Sequence, residues 1–203
     1  MTAIRLLSIA AAATAFSAMT ACSDSTTGVG STSEVSAATV ADNPSSTSSP
    51  STGGANPSTY QGTLTGTAQV QISTDGQAWV AVGQPRQVSI ALASTANVTT
   101  LSADASVPVG AYAYVRLVFS SGAQASVSGQ VGGTTANGTI VSLGSGQVVI
   151  QKQIQPVTLA AGTNARVVWD LNSELWLTPA AMQSRTAAAT AVQAAAWAAI
   201  LTD

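Results

Sequence analysis

Residues 107–119, Val107-Pro108-Val109-Gly110-Ala111-Tyr112-Ala113-Tyr114-Val115-Arg116-Leu117-Val118-Phe119, decide the fold class. Val107 to Gly110 reads as a turn, and Tyr112 to Phe119 as the strongest strand of the chain. Alternation places Val115, Leu117 and Phe119 on one face and Tyr112, Tyr114, Arg116 and Val118 on the other. Upstream, Ala68, Val70 and Ile72 alternate with Gln69, Gln71 and Ser73. Asp75-Gly76 is a two-residue hairpin signal, and Gln77 to Val82 returns. That turn sets Ile72 opposite Trp79 and Val70 opposite Ala81. Val88, Ile90 and Leu92 continue the pattern, with a short strand over Val98 to Leu101. Downstream, weaker strands cover Ala123 to Val131, Thr139 to Leu143, Gln147 to Ile154, Val157 to Ala160 and Ala165 to Trp169. Short strands at this spacing, separated by Gly, Pro, Asn and Ser, predict a mainly β chain folded as an antiparallel β-sandwich of immunoglobulin or prealbumin type over residues 59–178.

Both ends read differently. Residues 1–21 have the layout of a secretory signal: Arg5 near the start, an apolar run from Leu6 to Met19, then small residues. The apolar run is short and alanine-rich against the roughly 20 residues of a membrane span. Met19-Thr20-Ala21-Cys22 resembles a bacterial lipobox. That resemblance implies diacylglycerol on the Cys22 thiol, removal of the signal, and acylation of the new amine by a fatty acid such as palmitate. Ser23 rather than Asp after the cysteine implies delivery to the outer membrane over the inner one. Cys22 is the only cysteine, so no intramolecular disulfide is expected. Residues 22–58 are Ser, Thr, Gly, Ala, Asn and Pro with few apolar groups, the composition of a disordered tether. About 35 such residues have an r.m.s. reach of roughly 30 Å. At the other end, Thr178 and Pro179 form a helix start, and the alanine-rich residues 179–203 predict a C-terminal helix.

Composition limits function. Hydrophobic residues make up 46% of the chain and charged residues 7%, against about 25% charged in an average domain. The net charge is −2, which provides no field to hold nucleic acid. Histidine is absent, so Ser-His-Asp and Cys-His triads and histidine-ligated metals are excluded. Lys152 is the sole lysine, and no Ser-x-x-Lys pattern precedes it. A glycosidase needs two carboxyls on one cleft. Tether, turn and terminal positions leave only Asp104, Asp170 and Glu174 to supply them. An enzyme is not expected, and neither is a cofactor or a metal.

Three groups of side chains are candidates for a role. Arg116 and Asp170, each in a strand or at its end, are expected to form a structural ion pair; the functional alternative for Arg116 is anion binding. Tyr112 and Tyr114 point away from the Val115 face and, with Trp79, Trp169 and Trp176, offer a stacking platform for sugars. Asp170, Asn172 and Glu174 have the spacing that opens a calcium loop, but Leu175 stands where the glycine is required.

The segment Pro108-Val109-Gly110-Ala111-Tyr112-Ala113-Tyr114-Val115-Arg116-Leu117 resembles an uncharacterised bacterial lipoprotein family. Its domain of unknown function carries Pro-x-Gly-x-Tyr-x-x-(Ile/Val)-Arg-Leu. Trp79 after an early hairpin agrees with that family, as does Val167-Val168-Trp169-Asp170-Leu171-Asn172. The resemblance spans about Thr65 to Leu175. Leu143-Gly144-Ser145-Gly146 stands where the family has a Pro-Ser-Gly turn. The resemblance implies a prealbumin-like sandwich on a lipid anchor and no activity. The expected protein is therefore a lipid-anchored, non-catalytic structural or binding module of the cell envelope. A carbohydrate-binding module is the alternative and an envelope hydrolase the third. The expected partners are a membrane, reached through the N-terminal lipid, and a glycan or an envelope protein.

Overall fold

The computed structural model describes residues 31–39, 58–93 and 98–203. The expected signal peptide, Cys22 and most of the expected tether lie outside them. Within the described residues the chain is mainly β and forms two sheets in a sandwich-like arrangement. The strands are β1 (Thr32–Thr39), β2 (Thr59–Ser73), β3 (Val80–Ala93), β4 (Thr99–Pro108), β5 (Gly110–Phe119), β6 (Gln124–Val131), β7 (Thr134–Ser142), β8 (Val148–Leu159), β9 (Asn164–Asp170) and β10 (Trp197–Thr202). Between β9 and β10 lie three short helices, α1 (Ser173–Trp176), α2 (Pro179–Ser184) and α3 (Ala189–Ala195). No helix among the described residues is long and apolar enough to cross a membrane.

The smaller sheet has the order β10-β9-β1-β4. β1 runs parallel to β9 and antiparallel to β4. The larger sheet follows β7-β6-β2-β5-β8, with β3 along the other edge of β2. The long strand β2 organises it. One edge pairs with β3 from Gln61 to Ile72, and the other pairs first with β6 and then with β5. Pro108-Val109-Gly110 is the predicted turn, but it carries the chain from the smaller sheet to the larger rather than closing a hairpin. The core lies between the sheets, around Trp169, Trp176, Tyr60, Phe119, Leu64 and Ile72.

Residues 32–39, expected in the tether, are instead an inner strand. Val35 and Ala37 are buried in the core, and the hydroxyls of Ser33 and Thr39 bond the carbonyls of Thr163 (2.6 Å) and Thr99 (3.3 Å). Small side chains suffice because the strand gains ladder bonds on both edges and leaves the volume to larger neighbours.

The Asp75-Gly76 hairpin is also corrected. Ile72 pairs with Val80 and Val70 with Val82, one residue off the expected register. The connection is a loop over 74–79, and the slip sends Val82 inward with Val70 and Ile72. The tail forms short helices rather than one long one. Thr178 caps α2 as expected, accepting from the Ala181 amide at 3.2 Å. Arg185 then turns left-handed (φ 57), and the Arg185 carbonyl and Ala187 amide bond Ser142. After α3 the chain extends into β10, which pairs with β9 and buries Ala198 and Ile200. Tertiary pairing outweighs alanine's helix preference.

Gly129 has φ 120, and a Cβ there would stand 2.4 Å from the Thr59 carbonyl oxygen; Gly122 has φ 63 and open space. Gly129→Ala should therefore cost more than about 2 kcal/mol in urea unfolding, and Gly122→Ala about 1 kcal/mol. A chain beginning at residue 40 should lose the cooperative thermal transition that a chain beginning at residue 31 keeps.

Candidate functional site

The outer face of the larger sheet carries the most organised polar group of the described residues. It starts at the 74–79 loop. Asp75 Oδ1 accepts from the amides of Gln77 (2.8 Å) and Ala78 (2.9 Å) and from the Ser73 hydroxyl (3.0 Å). Ser73 Oγ accepts in turn from the Gly76 amide at 2.9 Å. These donors hold the Asp75 carboxyl below its usual range, the Gln77 amide most strongly. Gly76 takes φ 75, with the Tyr114 ring directly beneath it.

The loop delivers Trp79 half-buried onto the sheet face. The Arg116 guanidinium lies over its ring, 4.1 Å from the centroid. Arg116 Nε donates to Gln71 Oε1 at 2.5 Å, Gln71 Nε2 to Gln69 Oε1 at 2.8 Å, and Gln69 Nε2 to the Gly83 carbonyl at 3.2 Å. Partial burial lowers the Arg116 pKa from its ordinary value, and the group stays cationic at neutral pH. Cross-strand pairing sets Gln151 opposite Arg116 and Gln153 opposite Tyr114.

The structure separates the expected pairs. Arg116 engages Gln71 and Trp79 in the larger sheet. Asp170 sits at the end of β9 in the smaller one, where its Oδ1 accepts from the Asn172 amide at 2.8 Å. Tyr112 does not stand beside Tyr114 on the outer face. A bulge between Tyr112 and Tyr114 in the β5–β8 pairing turns Tyr112 inward, where it is buried and donates to the Pro108 carbonyl at 2.7 Å. That burial raises its pKa. Trp169 and Trp176 are core residues too. Trp176 donates to the Leu171 carbonyl at 3.1 Å. Of the expected sugar platform only Trp79 and Tyr114 keep partial exposure.

Asp170 and Glu174 are joined through the helical turn α1 rather than alternating along an extended loop. Among the described residues no group of three acidic or thiol side chains is arranged to hold a metal. Asp104 lies elsewhere, with Glu34, Arg166 and Asp203 around a shallow polar concavity of ≈ 260 Å³. Glu34 reaches it only because β1 joins the sheet.

A second recess was not legible in the sequence. The edge strands β8 and β10 flank an open groove of ≈ 690 Å³, lined by Lys152, Gln153, Pro156, Val157, Trp197 and Ile200 among others. Trp197 is 54% exposed. Lys152 Nζ donates to the Ala194 carbonyl at 3.4 Å, and burial lowers its pKa. No family model matches this chain, and no curated protein or solved structure matches it either.

Asp75 supplies a pH test. Its folded pKa lies below the unfolded value of about 3.8. Its contribution is therefore complete above that value and is lost as pH falls through the folded pKa. Asp75→Asn should melt below the native protein at pH 6, and the gap should narrow as pH falls below the unfolded value of about 3.8 and on through the lower folded one. Melting curves across that range check it.

Proposed function

We propose that this chain is a lipid-anchored, non-catalytic module of the cell envelope, which presents the Trp79–Arg116 face of its sandwich for binding. Cys22 receives the lipid, in the setting Met19-Thr20-Ala21-Cys22. Each buried methylene of an acyl chain contributes about 0.8 kcal/mol, so two or more chains anchor stably where one does not. The Pro108-to-Leu117 resemblance supports the same assignment, and Ser23 favours the outer membrane. What supports the anchor is the Met19-Thr20-Ala21-Cys22 setting of the chain's single cysteine; how far the module stands from that anchor follows from β1. It begins at Thr32 and is an inner strand, so only residues 23–31 separate the anchor from the fold.

Those nine residues span at most about 32 Å. The module is held close to its membrane rather than at the end of a long stalk. The end that faces the bilayer is the one where Ser31 accepts from the Val109 amide at 3.1 Å and Thr32 from the Gly162 amide at 3.0 Å. Partners are the membrane, through the lipid, and a glycan or envelope protein on the free surface.

A carbohydrate-binding role is the second reading. The exposed Trp197 beside the β8–β10 groove favours it, since an indole face suits the apolar faces of sugars while Gln153 offers donors and acceptors. Tyr112 takes no part in it.

Mass spectrometry of the mature N-terminus should find an acylated Cys22. Cys22→Ser should move the protein from the membrane fraction to the soluble fraction. A serine variant that stays membrane-bound, or a native chain with a free thiol, would overturn the anchor.

A further inference from the structure

We infer that Arg116 is the carboxylate-gripping residue of a site for acidic saccharides on the outer face of the larger sheet. This deepens the binding-module reading by naming its ligand class, and it does not depend on the lipid.

The guanidinium is already arranged for recognition. Trp79 fixes its plane from below at 4.1 Å. Gln71 fixes its rotation through Nε, and Gln71 is itself held by Gln69, which in turn donates to the Gly83 carbonyl. The other four of an arginine's five N–H donors have no protein partner among the described residues. Asp75, the carboxylate of the adjoining loop, is committed to the Gln77 and Ala78 amides and the Ser73 hydroxyl. A planar fork with open donors matches a carboxylate in bidentate fashion. Because the side chain is already ordered, little rotamer freedom is lost when the ligand arrives.

The neighbours select the rest of the ligand. Gln151 opposes Arg116 and Gln153 opposes Tyr114 across the β5–β8 pairing. An amide offers both donors and an acceptor, the complement of sugar hydroxyls. Arg116 is the only cation in the cross-strand rows Gln71–Arg116–Gln151 and Ser73–Tyr114–Gln153. One cation matches one carboxylate, as on a uronic acid, rather than a polyphosphate. With six Lys and Arg in the chain and a net charge of −2, no general field draws in polyanions.

The test titrates the mature full-length protein, in detergent at low salt, with methyl galacturonide, with neutral methyl galactoside and with a Glu-rich peptide. Calorimetry and the change in intrinsic tryptophan fluorescence read binding. The acidic sugar should bind at least about tenfold more tightly than the neutral one, and added salt should weaken it. Arg116→Met should cost at least about tenfold in affinity, with Arg116→Lys keeping part of it because an ammonium cannot bind bidentately. Gln71→Glu should weaken binding as much, with an undiminished melting temperature, because it hands the guanidinium an internal carboxylate. That variant decides the question if Arg116→Met does not fold. Equal binding of the two sugars, binding of neither, preference for a Glu-rich peptide, or wild-type affinity in Gln71→Glu would each overturn the site. Membrane attachment, read separately through Cys22→Ser, leaves this result unaffected.

Discussion

The insertion of β1 between β9 and β4 is the constraint on which the smaller sheet depends. Its backbone closes two edges at once, one parallel and one antiparallel. Without it β9–β10 would be an isolated two-stranded ribbon, which is marginal in water, and β4 would lose its ladder partner in this sheet. The inner face of the larger sheet would then lose its cover, including Leu64, Ile72 and Phe119, which are almost wholly buried. A strand of small, polar-looking residues thus holds a core made mostly by other elements. It also brings Glu34 beside Asp104 and Arg166.

On the opposite side of the molecule a different principle operates. Charge is scarce, and the polar surface of the larger sheet is built from amides. The Arg116–Gln71–Gln69–Gly83 chain of bonds is directional, each donor satisfying the next acceptor. Linked hydrogen bonds polarise one another, and the indole beneath the cation adds about 0.5–1 kcal/mol at an exposed site, more where water is excluded. Rigidity here comes from the sheet, since Gln69, Gln71 and Arg116 all stand on paired strands.

Alternation made the larger sheet legible. Val70, Ile72, Val115, Leu117 and Phe119 face inward as their period requires, and the same count places Gln71 and Arg116 outward. It failed where one residue broke the count. The bulge beside Tyr114 turned Tyr112 into the core, and the Asp75-centred loop lengthened the connection before Trp79. β1 was hidden because its partners, β4 and β9, are distant in sequence, and Ser, Ala and Thr carry little hydrophobic signal. β10 was hidden by alanine, whose helical preference acts locally while the open edge of β9 acts through the fold. Pro156 did not end β8, since an edge strand tolerates a missing amide. The Trp79–Arg116 contact joins a loop to a strand 37 positions away, a distance no local pattern reports.

The parallel register of β1 and β9 has a mechanical consequence. A pull on the chain upstream of Thr32 acts along the axis of β1, so its bonds to β9 and β4 are loaded together in shear rather than peeled in turn. The strand joined to the incoming chain is therefore the one hardest to drag out, and tension passes into the body of the sandwich before any rung gives way.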